Sequence, residues 1–233
     1  MESPYLNMLA AFGISSAHPG GLPITKHLLD YVKLKRKCSF VDIGCGTGQT
    51  LQILHDLGHT VTGIDSHPQM VKQAKERMKD KKDVTLLNID VEDLPSLHQF
   101  FHVALCESVL AFTNISKSLP AIYKVLDDGG YLMAIEMTIS EPLSSQDKTE
   151  LERFYGFAQF LTDDEWISAF QKEQFHVLDV IHPDDWIIHD QPMVELNMNN
   201  TIDDIYFQYL ATHEQLVMKY KDCLSYTIFI CKK

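Results

Sequence analysis

The sequence lacks several patterns that would assign it to particular classes of protein. Its 233 residues include five cysteines, none of them in a C-x-x-C pair, so the usual spacing of a zinc or redox motif is absent. No run of five basic residues occurs, and the formal net charge at pH 7 is −12. Because nucleic-acid phosphates and anionic lipids both bind basic surfaces, this charge disfavours both partners.

Long apolar runs, internal repeats and low-complexity tracts are also missing. No apolar run reaches the roughly 20 residues that span a bilayer, and the first residues lack the basic-then-apolar pattern of a secretory signal. We therefore expect a cytoplasmic protein with reduced cysteines, no metal site, and no membrane or nucleic-acid partner. The length and the 45% hydrophobic content predict one α/β domain that buries a full core, as a monomer or homodimer.

One stretch has the pattern of a nucleotide-type pocket. An apolar run at residues 40–43 predicts a buried strand, and glycine then occupies every second position, at Gly44, Gly46 and Gly48. The following helix has an apolar stripe at Leu51, Ile53, Leu54 and Leu57. Glycine leaves bare backbone for a ligand to approach, and a helix N-terminus presents free N–H groups with a partial positive charge. This order places the pocket at the carboxyl edge of a parallel sheet.

The spacing of these glycines differs from the dinucleotide fingerprint G-x-G-x-x-G, because the third glycine comes one residue early and Gln49 follows it. A second predicted strand ends at Asp65, about twenty residues on, where a carboxylate can accept hydrogen bonds from both hydroxyls of a ribose. Asp65 also precedes a predicted helix and can cap it. The two roles are compatible.

The segment Val41-Asp42-Ile43-Gly44-Cys45-Gly46-Thr47-Gly48, together with Gly63-Ile64-Asp65, resembles the class I methyltransferases that use S-adenosylmethionine and release S-adenosylhomocysteine. The resemblance covers residues 38–138 best. It implies an α/β fold with a doubly wound, mostly parallel seven-stranded sheet, the last strand antiparallel, helices on both faces and an N-terminal helical lid. It also implies one domain with three parts: a lid at 1–37, a cofactor-binding core at 38–138 and acceptor-side elements at 139–233.

The resemblance implies a set of cofactor contacts. In that family the glycine loop lies under the methionine half of the cofactor, and an acidic residue after the third strand accepts a hydrogen bond from the adenine amino group. Here the matching acidic residue is Asp90, and the Val91 N–H faces the ring. The cofactor-binding residues implied are Asp42, Gly44, Cys45, Gly46, Gly48, Asp65, Ser66, Asp90, Val91 and Glu107. We interpret Glu92 and Asp93 as the start of a short helix, where acidic residues suit the helix dipole.

Candidates for the acceptor side are fewer and less specific. Glu107 follows the fourth predicted strand and is the one ionisable group at the switch point of the sheet. The catalytic candidates are His18, Glu107 and Tyr155, and Trp186 is a further acceptor-side candidate. Ordinary structural roles stay open for them: His18 as a turn residue beside Pro19, and the aromatic side chains as core. Met8–Phe12 is either a packed N-terminal helix or a segment that contacts substrate.

Periodicity predicts the remaining elements. Helices are expected after Asp65, from Ser116 to Leu126 and after Thr201, and strands at 84–87, 131–135, 175–180 and 224–230. Thr162 is a predicted N-cap whose capping box Glu165 closes. Residues 139–159 show no clear pattern.

Methyl transfer from a sulfonium is an in-line displacement, for which a protein supplies mainly positioning and a dry pocket. A general base helps only when the acceptor holds a proton at neutral pH. We predict transfer to a small molecule; a protein or tRNA acceptor is the main rival, and the acidic charge disfavours tRNA. Two other hypotheses stay open: a non-catalytic cofactor binder acting as a partner subunit, and a nicotinamide-dependent oxidoreductase, although no Tyr-x-x-x-Lys pair is present.

Overall fold

The computed structural model describes residues 3–34, 37–186, 195 and 202–233. The strands in these ranges are β1 (Ser39–Ile43), β2 (Thr60–Ile64), β3 (Val84–Leu87), β4 (Phe101–Glu107), β5 (Leu126–Ile139), β6 (His176–Ile181) and β7 (Leu224–Lys232). The α-helices are α1 (Pro4–Phe12), α2 (Gly21–Val32), α3 (Gln49–Asp56), α4 (Pro68–Arg77), α5 (Ile115–Val125), α6 (Ser145–Tyr155), α7 (Asp163–Lys172) and α8 (Asp204–Tyr220). Short 3-10 helices lie at Val91–Leu97, Leu110–Phe112 and Pro183–Asp185. Residues 1–2, 35–36, 187–194 and 196–201 of the predicted lid and acceptor-side segments lie outside the described residues.

The seven strands form one sheet in the order β3-β2-β1-β4-β5-β7-β6. The first five run parallel, and β7 pairs antiparallel with both β5 and β6. This confirms the predicted doubly wound sheet with an antiparallel last strand. The strand order reverses between β1 and β4, and the carboxyl ends of these two strands therefore flank a crevice, which is where such sheets bind ligands.

The two faces of the sheet bury separate apolar clusters, because successive side chains of a strand point to opposite faces. On β1, Phe40 belongs to the cluster that includes the apolar faces of α2 and α3, whereas Val41 belongs to the cluster that includes those of α5 and α7. Helices thus cover both faces. Of the described residues, no helix is both long and apolar enough to cross a membrane.

The N-terminal helix α1 is capped by Ser3, whose side chain accepts a hydrogen bond from the Leu6 N–H at 3.1 Å. Met8 is fully buried and Phe12 is 3% exposed, and α1 packs against α6 and α8. This confirms the interpretation of Met8–Phe12 as a packed helix.

Some local expectations were wrong. Residues 145–155, where no pattern was found, form α6, and the Ser144 side chain caps it by accepting from the Asp147 N–H. Leu57, predicted on the buried stripe of α3, lies at the end of that helix and is 62% exposed. Strand β5 begins at Leu126 and is longer than predicted. In contrast, the capping box of Thr162 and Glu165 is confirmed.

A buried carboxylate in β5 fixes the backbone that follows β4. Glu136 has no exposed surface and accepts hydrogen bonds from the N–H groups of Val109, Leu110 and Ala111 at 3.2, 2.9 and 3.1 Å. Burial raises the pKa of Glu136 to about 7, and the three N–H donors oppose this shift. Glu136 therefore ties the short helix at Leu110–Phe112 to the centre of the sheet.

This raised pKa predicts a pH dependence of stability. The folded state holds a proton on Glu136 that the unfolded chain releases near its ordinary value of 4.5. This stabilisation is complete below that value and is lost as pH rises to about 7. Relative to Glu136→Gln, the free energy of unfolding of the wild type should fall by up to about 3 kcal/mol across this window.

The measurement is urea unfolding at a series of pH values. Glu152→Gln, at an exposed position of α6, serves as the matched control and should reproduce the wild-type pH profile. Parallel profiles for the wild type and Glu136→Gln would contradict the assignment.

Candidate active site

A cavity of about 850 Å³ opens at the carboxyl edge of β1, β2 and β4. Its described lining includes the glycine turn after β1, residues that follow β2, β3 and β4, and aromatic residues from α1 and α6. The cofactor-binding candidates that line it are Asp42, Gly44, Cys45, Gly46, Asp65, Ser66, Asp90, Val91 and Glu107, and the catalytic candidates His18 and Tyr155 line it as well. The fold therefore brings most of the residues predicted from sequence to one cavity.

The glycine turn is tied to β2 through its backbone. The N–H groups of Gly44 and Cys45 both donate to the Ile64 carbonyl, at 2.8 and 2.9 Å. Gly46 N–H donates to Asp65 Oδ2 at 2.9 Å, and Asp65 Oδ1 accepts from the His67 N–H at 2.8 Å. Asp65 thus lies just after β2 and holds the turn, while its carboxylate lines the cavity. It is not the N-cap of α4, as the sequence suggested, because His67 occupies that position and its side chain accepts from the Gln69 N–H.

Burial raises the pKa of two acidic residues at this end of the cavity, Asp42 and Asp65. Asp42 is 2% exposed, and its Oδ2 has no hydrogen-bond partner among the described residues. Burial, and then the charges of Glu107 and Asp65, raise the pKa of Asp42 well above its ordinary value. Burial also raises the pKa of Asp65, while the His67 and Gly46 N–H groups oppose that shift. An unpaired buried carboxylate is costly, so this end of the cavity favours a cationic ligand.

Glu107 ends β4 and is held by two threonines that the sequence analysis did not identify. Its Oε1 accepts from Thr25 Oγ1, and its Oε2 accepts from Thr50 Oγ1 at 2.8 Å. His18 Nε2 lies 3.1 Å from Thr25 Oγ1 and 3.5 Å from Glu107 Oε1. Both threonines are almost fully buried on the inner faces of α2 and α3. The sequence signal that could have identified them is a polar residue at a core-facing position of a predicted helix.

The sequence left two interpretations for His18, a catalytic residue or an ordinary turn residue beside Pro19. Its side chain is 6% exposed, lines the cavity and contacts the Thr25 and Glu107 side chains, so the turn places it in the site.

At the other side of the turn, Asp90 caps the short helix that starts at Val91, accepting from the Glu92 N–H at 2.9 Å. Asp90, Val91 and Ser66 line the same part of the wall as Ile89. Glu92 and Asp93 occupy the first turn of this helix, as interpreted from the sequence.

Two candidates do not line the cavity. A Cβ at Gly48 would lie 3.1 Å from Ala74 Cβ, so this glycine allows α3 and α4 to approach each other. Trp186 packs against His27 and Tyr31 of α2, with ring centroids 4.4 and 5.5 Å away. Neither is among the described lining residues, and the expectation that Trp186 faces the acceptor was wrong.

The wall that includes Tyr155 is aromatic. Tyr155 Oη lies 3.0 Å from His213 Nδ1, and the Tyr155 ring stacks on Phe157 with centroids 4.9 Å apart. His213 in α8 was not identified from the sequence, because nothing in its neighbourhood along the chain marks it.

Among the described residues no group of three or more His, Cys, Asp or Glu side chains is arranged to hold a metal.

The geometry of the glycine turn predicts that two glycine substitutions lower the free energy of unfolding by different amounts. Gly44 has φ of 70°, and an added Cβ would lie 2.5 Å from Val109 Cγ2. Gly46 has φ of 53°, and an added Cβ would meet nothing within 4 Å. Gly44→Ala should therefore lower the free energy of unfolding by about 3 kcal/mol, through both strain and overlap. Gly46→Ala should cost only about 1 kcal/mol, through its backbone alone.

Urea unfolding of the two variants beside the wild type measures this difference, and Gly46→Ala is the matched control. Equal losses of stability would show that contact with Val109 does not restrict the turn.

Known proteins resemble this chain in sequence and in fold. A family model described as a methyltransferase domain matches residues 41–134. The chain is 34% identical over 234 residues to the uncharacterized methyltransferase YodH of Bacillus subtilis (strain 168), an alignment that covers 99% of this chain and 100% of that protein.

Solved structures share the fold at lower identity. A SAM-dependent methyltransferase from Thiobacillus denitrificans in complex with S-adenosyl-L-homocysteine has a TM-score of 0.70 at 17% identity, over 99% of both chains. Phosphoethanolamine N-methyltransferase 2 of Haemonchus contortus in complex with S-adenosyl-L-methionine has a TM-score of 0.74 at 18% identity, over 98% of this chain and 57% of that one. The glycine turn, the strand order and the full-length relative together show that the chain belongs to the class I S-adenosylmethionine-dependent methyltransferases.

Proposed function

We propose that this methyltransferase transfers the methyl group of S-adenosylmethionine to a small-molecule acceptor bound in the same cavity. The observation that carries the proposal is the buried Asp42 Oδ2, which has no hydrogen-bond partner among the described residues and lies beside the bare backbone of the glycine turn. A cavity of about 850 Å³ falls within the range of small-molecule sites, about 300–1,000 Å³. The cofactor supplies an activated methyl group on a positively charged sulfur.

The residues of the cavity fit the parts of this cofactor. The turn at Gly44, Cys45 and Gly46 offers its backbone to the methionine half, where a side chain would fill the space. Asp42 would take the ammonium group, because its free Oδ2 accepts a charge-assisted hydrogen bond. Asp65 uses one hydrogen bond on each oxygen within the protein and keeps acceptor capacity for the two ribose hydroxyls.

The remaining cofactor contacts lie around the adenine and the sulfur. Asp90 and Ser66 line the wall where the adenine would lie, and Val91 offers an apolar surface and its backbone N–H. Glu107, held in place by Thr25 and Thr50, contributes negative charge at the switch point. Buried carboxylates stabilise a cationic ligand, because the attraction between the two charges is stronger away from bulk water.

The protein's contribution to the reaction is positional. An in-line displacement needs the acceptor atom, the methyl carbon and the sulfur on one line, and holding them so is worth several kcal/mol of the barrier, up to about 7–11 in well-oriented systems. Helices α1, α6 and α8 pack together beside the cavity and exclude water from one side. The rigid turn and strand ends hold the donor on the other side.

The acceptor is proposed to be a small molecule because the described wall beyond the turn is aromatic. Tyr155 and Phe157 line it, and α1 packs close to them, with the Tyr5 and Tyr155 centroids 4.9 Å apart. The net charge of −12 remains unfavourable for a tRNA acceptor. In this proposal residues 38–138 hold the cofactor, while residues 1–37 and 139–233 of the same domain form the acceptor side.

Membership in the methyltransferase family favours methyl transfer over the nicotinamide and non-catalytic hypotheses. The early third glycine supports the same choice, because it alters the turn that seats a pyrophosphate.

The test is isothermal titration of the full chain with S-adenosylmethionine. Asp65→Ala should weaken binding about 100-fold, because two hydrogen bonds from the ribose to a charged group are lost. Asp65→Asn keeps one acceptor oxygen and should lose less. Asp80→Ala, in the exposed turn after α4, should bind like the wild type.

Circular dichroism establishes that each variant is folded before titration. Wild-type affinity in a folded Asp65→Ala protein would remove this carboxylate from the cofactor site.

A further inference from the structure

A histidine and a tyrosine from different helices are paired in the acceptor wall. His213 lies in α8 and Tyr155 ends α6, and the distance from His213 Nδ1 to Tyr155 Oη is 3.0 Å. Tyr5 of α1 packs on both rings, with centroids 5.1 Å from His213 and 4.9 Å from Tyr155. All three side chains line the cavity, so three helices fix the pair in one position.

The second ring nitrogen of His213 is available to a ligand. Within the described part of the chain, Nε2 has no hydrogen-bond partner, whereas Nδ1 is occupied by Tyr155. When Nδ1–H donates to the Tyr155 oxygen, Nε2 carries a lone pair. A histidine that lines a cavity, with one ring nitrogen oriented by a neighbour and the other without a partner in the described chain, is suited to act as a general base.

The surroundings keep both groups neutral. Burial lowers the pKa of His213, and the nearby carboxylate of Glu214 opposes this shift. Burial raises the pKa of Tyr155 and raises that of Tyr5 to about 12. Among the described residues, Tyr5 of α1, Tyr155 of α6 and Glu214 of α8 are the titratable groups that face or act on His213. The imidazole is therefore unprotonated at neutral pH.

The chemistry of the wall indicates which acceptor it fits. The described aromatic residues that line the cavity are Tyr5, Phe112, Tyr155, Phe157, Tyr220 and Tyr226. No arginine is among the described lining residues, and Lys221 is the one lysine there. Such a wall suits a flat, uncharged ring packed against aromatic faces, rather than a phosphate or carboxylate. A base beside it is useful when that ring bears a hydroxyl that is protonated at neutral pH.

We propose that His213 is the general base that deprotonates a phenolic acceptor, and that Tyr155 is the residue that positions it. The proposal rests on the proposed function, because it concerns the acceptor half of the same cavity. His213 touches the acceptor and is a catalytic residue, whereas Tyr155 acts through the His213 ring.

The step balances in protons and electrons. His213 Nε2 takes the hydroxyl proton as the phenol oxygen attacks the methyl carbon. A C–O bond forms, the C–S bond breaks, and its electron pair stays on the sulfur, which becomes a neutral thioether. The protonated imidazole keeps Nδ1–H directed at Tyr155 Oη and later releases the Nε2 proton to solvent. The products are an aryl methyl ether, S-adenosylhomocysteine and a proton.

Two probe acceptors separate general-base catalysis from a merely structural role. Phenol holds its proton at neutral pH, whereas 4-nitrophenol is acidic enough to be largely ionised in mildly alkaline buffer. Formation of S-adenosylhomocysteine by the full chain, with S-adenosylmethionine and either probe, measures kcat/KM for each. The variants are His213→Gln, which removes the base, and Tyr155→Phe, which removes the hydroxyl and keeps the ring. His55→Gln, on α3 outside the described lining, is the matched control.

We expect His213→Gln to lower kcat/KM for phenol at neutral pH by about 100-fold or more. With 4-nitrophenol in alkaline buffer the same variant should keep most of its activity, because the acceptor arrives ionised. In the wild type, kcat/KM for phenol should fall as pH drops through the lowered pKa of His213, and this inflection should be absent in His213→Gln. Tyr155→Phe should show a smaller loss with phenol, and His55→Gln should match the wild type.

Four results would overturn the proposal. Equal losses with both probes would indicate a structural role for His213, and unchanged phenol kinetics would remove it from the reaction. Lack of methylation of either phenol by a wild-type protein that binds S-adenosylmethionine would refute the acceptor class. Titration with S-adenosylmethionine shows whether the wild type binds the cofactor at all. Absence of binding would refute both the proposed function and this inference.

Discussion

The geometry of the site depends on the hydrogen bonds that tie the glycine turn to the second strand. Gly44 and Cys45 share the Ile64 carbonyl, and Gly46 is held by the carboxylate of Asp65. The turn and the carboxylate are therefore one unit: neither can shift without breaking a bond to the other. Since Asp65 directly follows a buried strand, the sheet fixes the position of both, and the cavity between them is formed before any ligand arrives.

Charge distinguishes the two ends of this cavity. Near the turn, Asp42, Asp65 and Glu107 bring negative charge into a place that water reaches poorly, and burial raises the pKa of the first two. A cationic ligand offsets this penalty and thereby stabilises the folded chain, since binding to the native state shifts the folding equilibrium. The methyl donor of this family carries such a charge at its sulfonium and ammonium groups, so the same carboxylates that weaken the empty protein favour its cofactor.

The other end is mainly aromatic and is built from elements far apart in sequence. Tyr155 and His213 are 58 residues apart, yet α6 and α8, which carry them, both pack against α1. Glu136 contributes from the sheet by holding the backbone at residues 109–111, and Val109 in turn contacts the glycine turn. The donor and acceptor ends are thus joined by packing through the centre of the molecule. The order and spacing of the core strands fix one end, while the added helices determine the other.

The sequence by itself determined the parts of this protein that depend on local patterns. The strand–turn–helix at residues 40–56, the position of Asp65 and the capping box at Thr162 follow from neighbours along the chain. The doubly wound sheet was implied by the family resemblance and not by local pattern. The contact of His18 with Glu107, the threonines around that carboxylate and the Tyr155–His213 pair were decided by the tertiary structure alone. Thr25 and Glu107 are 82 residues apart, and only the packing of α2 against the sheet brings them together. Trp186 was expected near the acceptor from the sequence, but in the structure it packs on α2. A local pattern records how a segment folds, whereas a side chain's partners depend on where the other helices pack.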